Sequence, residues 1–179
     1  MSEIEYGFDA AKLRAARLSA GLSVARIAQV VGVSERAGLY FAGSRVPRPG
    51  ILLRLARAVG VEPAELCTVE RERLAHLRVW SGRNRAQMAQ ALGMSEATYR
   101  QVEITGHRGR SHYDWTRGCW VAWQEWAPPV FGVTPERLAA AEQATQDHHQ
   151  AERERRLRMM REQNPERAAR LDRLLGRRL

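Results

Sequence analysis

Apolar residues along the first third of the chain recur at helical spacing, and no stretch there alternates convincingly as a strand would. Leu13, Ala16 and Leu18 fall near one face of residues 9–19, and Gly21 is placed to stop that helix. Ser23 is a good N-cap for a short helix through Val30, with Ile27 and Val31 inward. Gly32 then tolerates the positive φ of a tight turn. Ser34 caps the next helix, and Glu35 in its first turn complements the dipole. Residues 45–50, RVPRPG, predict an extended break. Residues 51–59 form an amphipathic helix ending at Gly60, and Pro63 opens a last short helix through Leu66.

The same pattern returns 61 residues later. Leu13 falls on Leu74, Arg17 on Arg78, Gly21 on Gly82 and Ala25 on Ala86. Ala28-Gln29 falls on Ala89-Gln90, Gly32 on Gly93, and Ser34-Glu35 on Ser95-Glu96. Nine identities in 23 ungapped positions indicate an internal repeat, with Asn84 replacing Ser23 as cap. Farther on, Gly60-Val61-Glu62-Pro63 matches Gly132-Val133-Thr134-Pro135 at an offset of 72. The second copy therefore carries about eleven extra residues, around 104–119, whose Gly, Arg and His content reads as a loop. Beyond them Trp120, Trp123 and Trp126 form an aromatic stripe on a helix ended by Pro128-Pro129. Such spacing favours a core element that cements the second copy to its neighbours; a docking surface or small-molecule pocket is the other reading.

Residues 136–163 contain no Gly or Pro and are dense in Ala, Glu, Gln and Arg, which predicts a long polar helix. Asn164-Pro165 breaks it, and a further helix follows with Ala168, Leu171, Leu174 and Leu175 as a narrow apolar stripe. That stripe either packs on the body or pairs with a second chain. The adjacent His148 and His149 diverge on a helix, so no metal site is expected.

Charge narrows the partners. The formal net charge is +9 and the pI about 10.8, which favours a polyanion, nucleic acid first. Only Lys12 among the 29 basic residues is lysine, so part of the excess reflects an arginine-rich composition. Cys67 and Cys119 are far apart and in no metal-ligand spacing, as in a cytoplasmic protein with reduced thiols. No apolar run approaches a membrane span. There is no Gly-rich phosphate loop and no Ser-His-Asp set. His107, His112 and Asp114 are near in sequence only, so neither an enzyme nor a bound cofactor is expected.

The turn glycines, cap serines and apolar spacing together resemble the phage-repressor/Cro-like, XRE-type helix-turn-helix family. The first copy carries the resemblance through LRAARLSAGLSVARIAQVVGVSERAGLYFAGSRVPRPGILLRLARAVGVEP. The second carries it through LAHLRVWSGRNRAQMAQALGMSEATYRQVE and again at FGVTPERL. The resemblance implies an all-α protein. Two tandem five-helix helix-turn-helix domains would span 9–68 and 69–141, the second with a Trp-rich insertion, and a charged helical arm would occupy 142–179. It implies recognition helices near 34–42 and 95–104, held in the major groove of double-stranded DNA. By family position, Glu35, Arg36 and Tyr40 would face bases in the first copy, and Glu96, Ala97, Thr98 and Gln101 in the second. Phosphate contacts would fall to Ser23, Arg26, Ser34, Arg45 and Arg48, and to Asn84, Arg85 and Ser95. Arg78 and Glu103 occupy positions of a structural ion pair; the first copy keeps Arg17 but has Ala42 opposite, and places Gly38 inside its recognition helix. The expected function is a sequence-specific transcriptional regulator of the repressor type. The alternative is an antitoxin-like or adaptor protein in which only the first copy touches DNA. The Trp-rich copy or the C-terminal arm would then hold a protein partner or a second chain.

Overall fold

The computed structural model describes residues 6–33, 37–107, 112–114 and 118–164; for Ala37 and residues 112–114 it describes the backbone alone. Among the described residues the protein is all-α apart from one short hairpin. Four helices, α1 (Ala10–Ser19), α2 (Val24–Val31), α3 (Ala37–Ala42) and α4 (Pro49–Val59), are followed by a 3₁₀ turn at Pro63–Leu66. Then come α5 (Leu74–Trp80), α6 (Arg85–Ala91) and α7 (Glu96–Thr105). The antiparallel strands β1 (His112–Asp114) and β2 (Cys119–Val121) precede α8 (Trp123–Phe131) and α9 (Pro135–Gln163).

Local chemistry explains most of the boundaries. Asp9 caps α1 by accepting from the amides of Ala11 and Lys12 at 2.8 and 3.3 Å. Those backbone bonds, the one from Lys12 foremost, hold its carboxyl below the usual range. Helix α4 begins two residues before the predicted 51, because Pro49 with its fixed φ suits the first helical turn. Leu18, expected near the same face as Leu13, is 65 % exposed. Five residues beyond Leu13, it is carried well around α1 from that buried side chain.

Three expectations fail after residue 104. The insertion read as a loop contains the β1–β2 hairpin, with His112 opposite Val121, Tyr113 opposite Trp120 and Asp114 opposite Cys119. The three tryptophans do not share a helix: Trp120 lies in β2 and is 68 % exposed, whereas Trp123 and Trp126 begin α8 and meet edge to face at 5.2 Å. Pro128-Pro129 does not end α8, which continues to Phe131. The carbonyl of Pro128 accepts from the amides of both Gly132 and Val133, so the closing turn keeps its bonds without proline donors. The expected start of the arm at 142 falls inside α9, whose first turns bury Leu138, Ala141, Glu142, Ala144 and Thr145. The apolar stripe expected after Pro165 lies outside the described residues.

Most of the buried apolar residues form one continuous cluster. It runs from Leu13, Ile27 and Val31 through Leu52 and Leu55 of α4 to Leu74, Leu77, Met88, Tyr99, Trp123, Phe131 and Leu138. Each fully buried side chain of this size contributes roughly 1.5–3 kcal/mol. Helix α4 packs on α5 across the middle of the chain. Gly82 makes that approach possible: at φ +79° it lies so close to α4 that a Cβ there would sit 2.5 Å from Leu53 Cδ2. Helix α9 packs on α5, α7 and α8. It also caps α5, since Thr145 Oγ1 accepts from the Leu74 amide at 3.0 Å. Beneath these helices Cys67, His76 and Trp80 are buried together, with Trp80 Nε1 3.2 Å from Cys67 Sγ and His76 stacked on Trp80. Burial pushes the Cys67 thiol up to about 11 and, with Arg73 nearby, holds the His76 imidazole down at about 4.

Candidate nucleic-acid interface

The stretches that open at α2 and at α6 are capped and turned by the same kinds of hydrogen bond. Ser23 Oγ accepts from the Arg26 amide at 3.1 Å and opens α2. Gly32 closes it in the left-handed region at φ +66°, and the Val33 amide donates to Ala28 O at 3.0 Å. Sixty-one residues on, Asn84 Oδ1 accepts from the Gln87 amide at 2.8 Å, while Gln87 Oε1 accepts from the Asn84 amide at 2.9 Å. Gly93 turns at φ +62°, and the Met94 amide donates to Ala89 O at 3.0 Å.

Helix α7 follows directly. Ser95 Oγ accepts from the Thr98 amide at 3.1 Å, and Glu96 occupies the first turn. Tyr99, Val102 and Glu103 point into the core, which leaves Glu96, Ala97, Thr98, Arg100 and Gln101 on the outer face. The four residues expected to face bases in this copy therefore share one exposed surface at the helix's N-terminal half. In the first copy Ser34, Glu35 and Arg36 lie outside the described residues. Helix α3 has Gly38 and Leu39 on its exposed side. Tyr40, expected to face a base, is instead 7 % exposed and belongs to the core, so its ring cannot reach a groove while the domain stays packed.

Glu103 organises the second unit. Its Oε1 accepts from Arg78 Nε at 2.5 Å and its Oε2 from Arg85 Nε at 2.5 Å. One carboxylate thus ties α5 and α6 to α7. The expected Arg78–Glu103 pair is present, with side chains 8 % and 0 % exposed. Arg85, expected on a phosphate, is turned inward to the same carboxylate and keeps only 24 % of its side-chain exposure. A phosphate would have to compete there with a desolvated counter-charge already in place. Nothing in the sequence pattern marked Arg85 for this role, because its 61-residue counterpart is Val24.

The first unit repeats half of this lock. Arg17 Nη1 donates to Leu22 O at 2.7 Å, as Arg78 Nη1 donates to Arg83 O at 3.0 Å. With Ala42 where Glu103 stands in the second unit, the buried Arg17 Nε has no acceptor, and the guanidinium lies 6.0 Å from the Phe41 ring centroid. Around the first unit Ser23, Arg26, Arg45 and Arg48 are all exposed, and Arg26 donates to Gln29 Oε1 at 2.9 Å. Asn84 and Ser95 are exposed in the second.

Capped helices, a glycine turn and an outward following helix define a helix-turn-helix, a DNA-binding fold. The comparison with known families agrees for the first unit: residues 10–67 match the helix-turn-helix domain family, so the N-terminal third of the chain is a helix-turn-helix domain. No curated protein and no solved structure matches the chain. Among the described residues no helix is long and apolar enough to cross a membrane, and no group of His, Cys, Asp and Glu could hold a metal ion.

Proposed function

We propose that this protein is a sequence-specific transcriptional regulator of the repressor type that binds double-stranded DNA in the cytoplasm with two helix-turn-helix units. The observation that carries the reading is the helix-turn-helix domain at residues 10–67. The repeat at an offset of 61 and the shared cap-and-turn bonds support a second unit over 69–141, joined to an arm from 142. In that unit Glu96, Ala97, Thr98 and Gln101 meet base edges, where Gln101 is suited to adenine and Glu96 to the amino group of cytosine. Glu35 and Arg36 take this role in the first unit. Phosphates fall to the exposed Ser23, Arg26, Arg45 and Arg48, and to the caps Ser34, Asn84 and Ser95. Two readers in one chain cover a bipartite site without the two-fold symmetry that a single module needs.

Selection from randomised duplex DNA by the full-length protein at about 150 mM salt, which suppresses purely ionic binding, tests this. The expected product is a bipartite motif, with Gln101→Ala relaxing preference at one position by roughly 1–3 kcal/mol. Placing that motif across a promoter is expected to lower reporter output when the protein is present. A single short motif unaffected by Gln101→Ala removes the second unit as a reader. No enriched motif overturns the proposal.

A further inference from the structure

Residues 67–73 connect the 3₁₀ turn of the first unit to α5 of the second. Stretched out, a connection of that length spans at most about 25 Å. A free tether of this reach would let two units slide over several base pairs, at about 3.4 Å each. The protein does not leave it free. Its first half is bonded to the first unit. The Thr68 amide donates to Gly7 O at 2.6 Å, Thr68 Oγ1 to Asp9 Oδ2 at 3.2 Å, and Lys12 Nζ to Cys67 O at 2.5 Å. Its second half is bonded to α9, which packs on the helices of the second unit. Arg71 Nη1 donates to Asp147 Oδ2 at 2.8 Å, and Arg137 holds the Glu72 carboxylate through two bonds of 2.7 and 2.9 Å. Trp80 of α5 reaches back to Cys67 Sγ at 3.2 Å and closes the join.

The two units also share a face, because α4 packs on α5. Glycines set how closely. A Cβ on Gly82 would sit 2.5 Å from Leu53 Cδ2 and 3.2 Å from Leu53 Cβ, and one on Gly50 would sit 3.6 Å from Gly82 O. The turn between α5 and α6 therefore lies directly on the first turns of α4. Gly21, the counterpart of Gly82 in the first unit, meets nothing within 4 Å. The contact thus belongs to the junction and not to the fold of each unit. Beneath it the same core continues from Leu52 and Leu55 to Leu74 and Leu77. Sliding one unit on the other would pull that core apart, and close-packed interiors resist such movement.

We infer that this junction fixes how the first unit sits against the second, so that the protein accepts duplex DNA carrying its two half-sites at one spacing only. Gly82 and Leu53 are then positioning residues for DNA selection, although neither touches DNA. The inference rests on the two-reader function proposed above and adds a spacing rule to it.

The test uses the full-length protein and the bipartite motif recovered by selection, at about 150 mM salt. Affinity is measured for the selected spacing, for spacings from roughly three base pairs shorter to five longer, and for each half-site alone. One added base pair turns a half-site by about 34–36° and moves it about 3.4 Å. Affinity is expected to fall about tenfold or more for one base pair, because the DNA must be deformed to compensate. At five it is expected to reach the value of a half-site alone, a loss of about 10²–10⁴-fold. Gly82→Ala forces Leu53 and the turn apart. It is expected to weaken binding at the selected spacing several-fold and to leave each isolated half-site within about twofold of wild type. Circular dichroism at the titration temperature shows that the variant is folded. An equal loss on isolated half-sites removes Gly82 as a positioning residue. If the wild type binds every spacing within about threefold, the units move independently, so the spacing rule falls and the two-reader function stands. If selection yields no bipartite motif, both fall.

Discussion

Glu103→Gln tests the three-helix lock most sharply. The substitution keeps the side chain's size and one acceptor oxygen but removes the charge. Arg78 and Arg85 then share a site, with side chains 8 % and 24 % exposed, that no longer holds their counter-ion. Removing one partner of a buried pair costs about 3–5 kcal/mol, mostly because the remaining charge is stranded. The retained acceptor places Glu103→Gln at the lower end, about 3 kcal/mol. For a chain of this length that corresponds to a fall in Tm of roughly 6–12 °C. Urea unfolding followed by circular dichroism measures it as a lower midpoint at unchanged slope. Arg78→Met/Glu103→Leu separates stranded charge from lost packing, because replacing both partners with apolar groups removes the desolvation penalty. The double variant is expected to lie well above Glu103→Gln in stability. A loss below 1 kcal/mol for Glu103→Gln, or a double variant no better than the single, would refute the lock.

Three further outcomes follow from the same geometry. Ala42→Glu places an acceptor toward the orphaned Arg17 Nε; a charge-assisted bond of about 1.5–3 kcal/mol, set against up to about 1 kcal/mol for an acid at a helix C-terminus, predicts a net gain near 1 kcal/mol in urea unfolding. His76 is neutral when folded, with its pKa held at about 4 from an ordinary 6.5, so the unfolded state binds the extra proton. The stability this contributes is full above pH 6.5 and is lost as pH falls to 4, by about 3 kcal/mol, and His76→Phe is expected to flatten that part of the urea–pH profile. Gly82→Ala and Gly21→Ala both force a side chain into positive φ, at about 1–2 kcal/mol, but only the first meets a neighbour, Leu53 at 2.5 Å. Thermal melts are therefore expected to show Gly82→Ala as clearly the more damaging.

The sequence by itself determined whatever depends on neighbours a few residues apart. Ser23, Asn84 and Ser95 cap helices, and Gly32 and Gly93 turn between them, because a cap or a left-handed turn is satisfied within one turn of chain. Period also located Ile27 and Val31 in the core, and the family resemblance paired Arg78 with Glu103. Only the tertiary structure decided which side chains are claimed by distant partners. Arg85 turned inward because Glu103 offers a second oxygen, and Tyr40 was drawn into the core. The first amide of α5 is capped by Thr145, 71 residues away. The ribbon after α7 and the passage of α8 through two prolines were equally hidden, since Gly and Pro mark breaks in a one-dimensional reading. Burial and long-range hydrogen bonding depend on what packs alongside, and no local pattern of residue types encodes that.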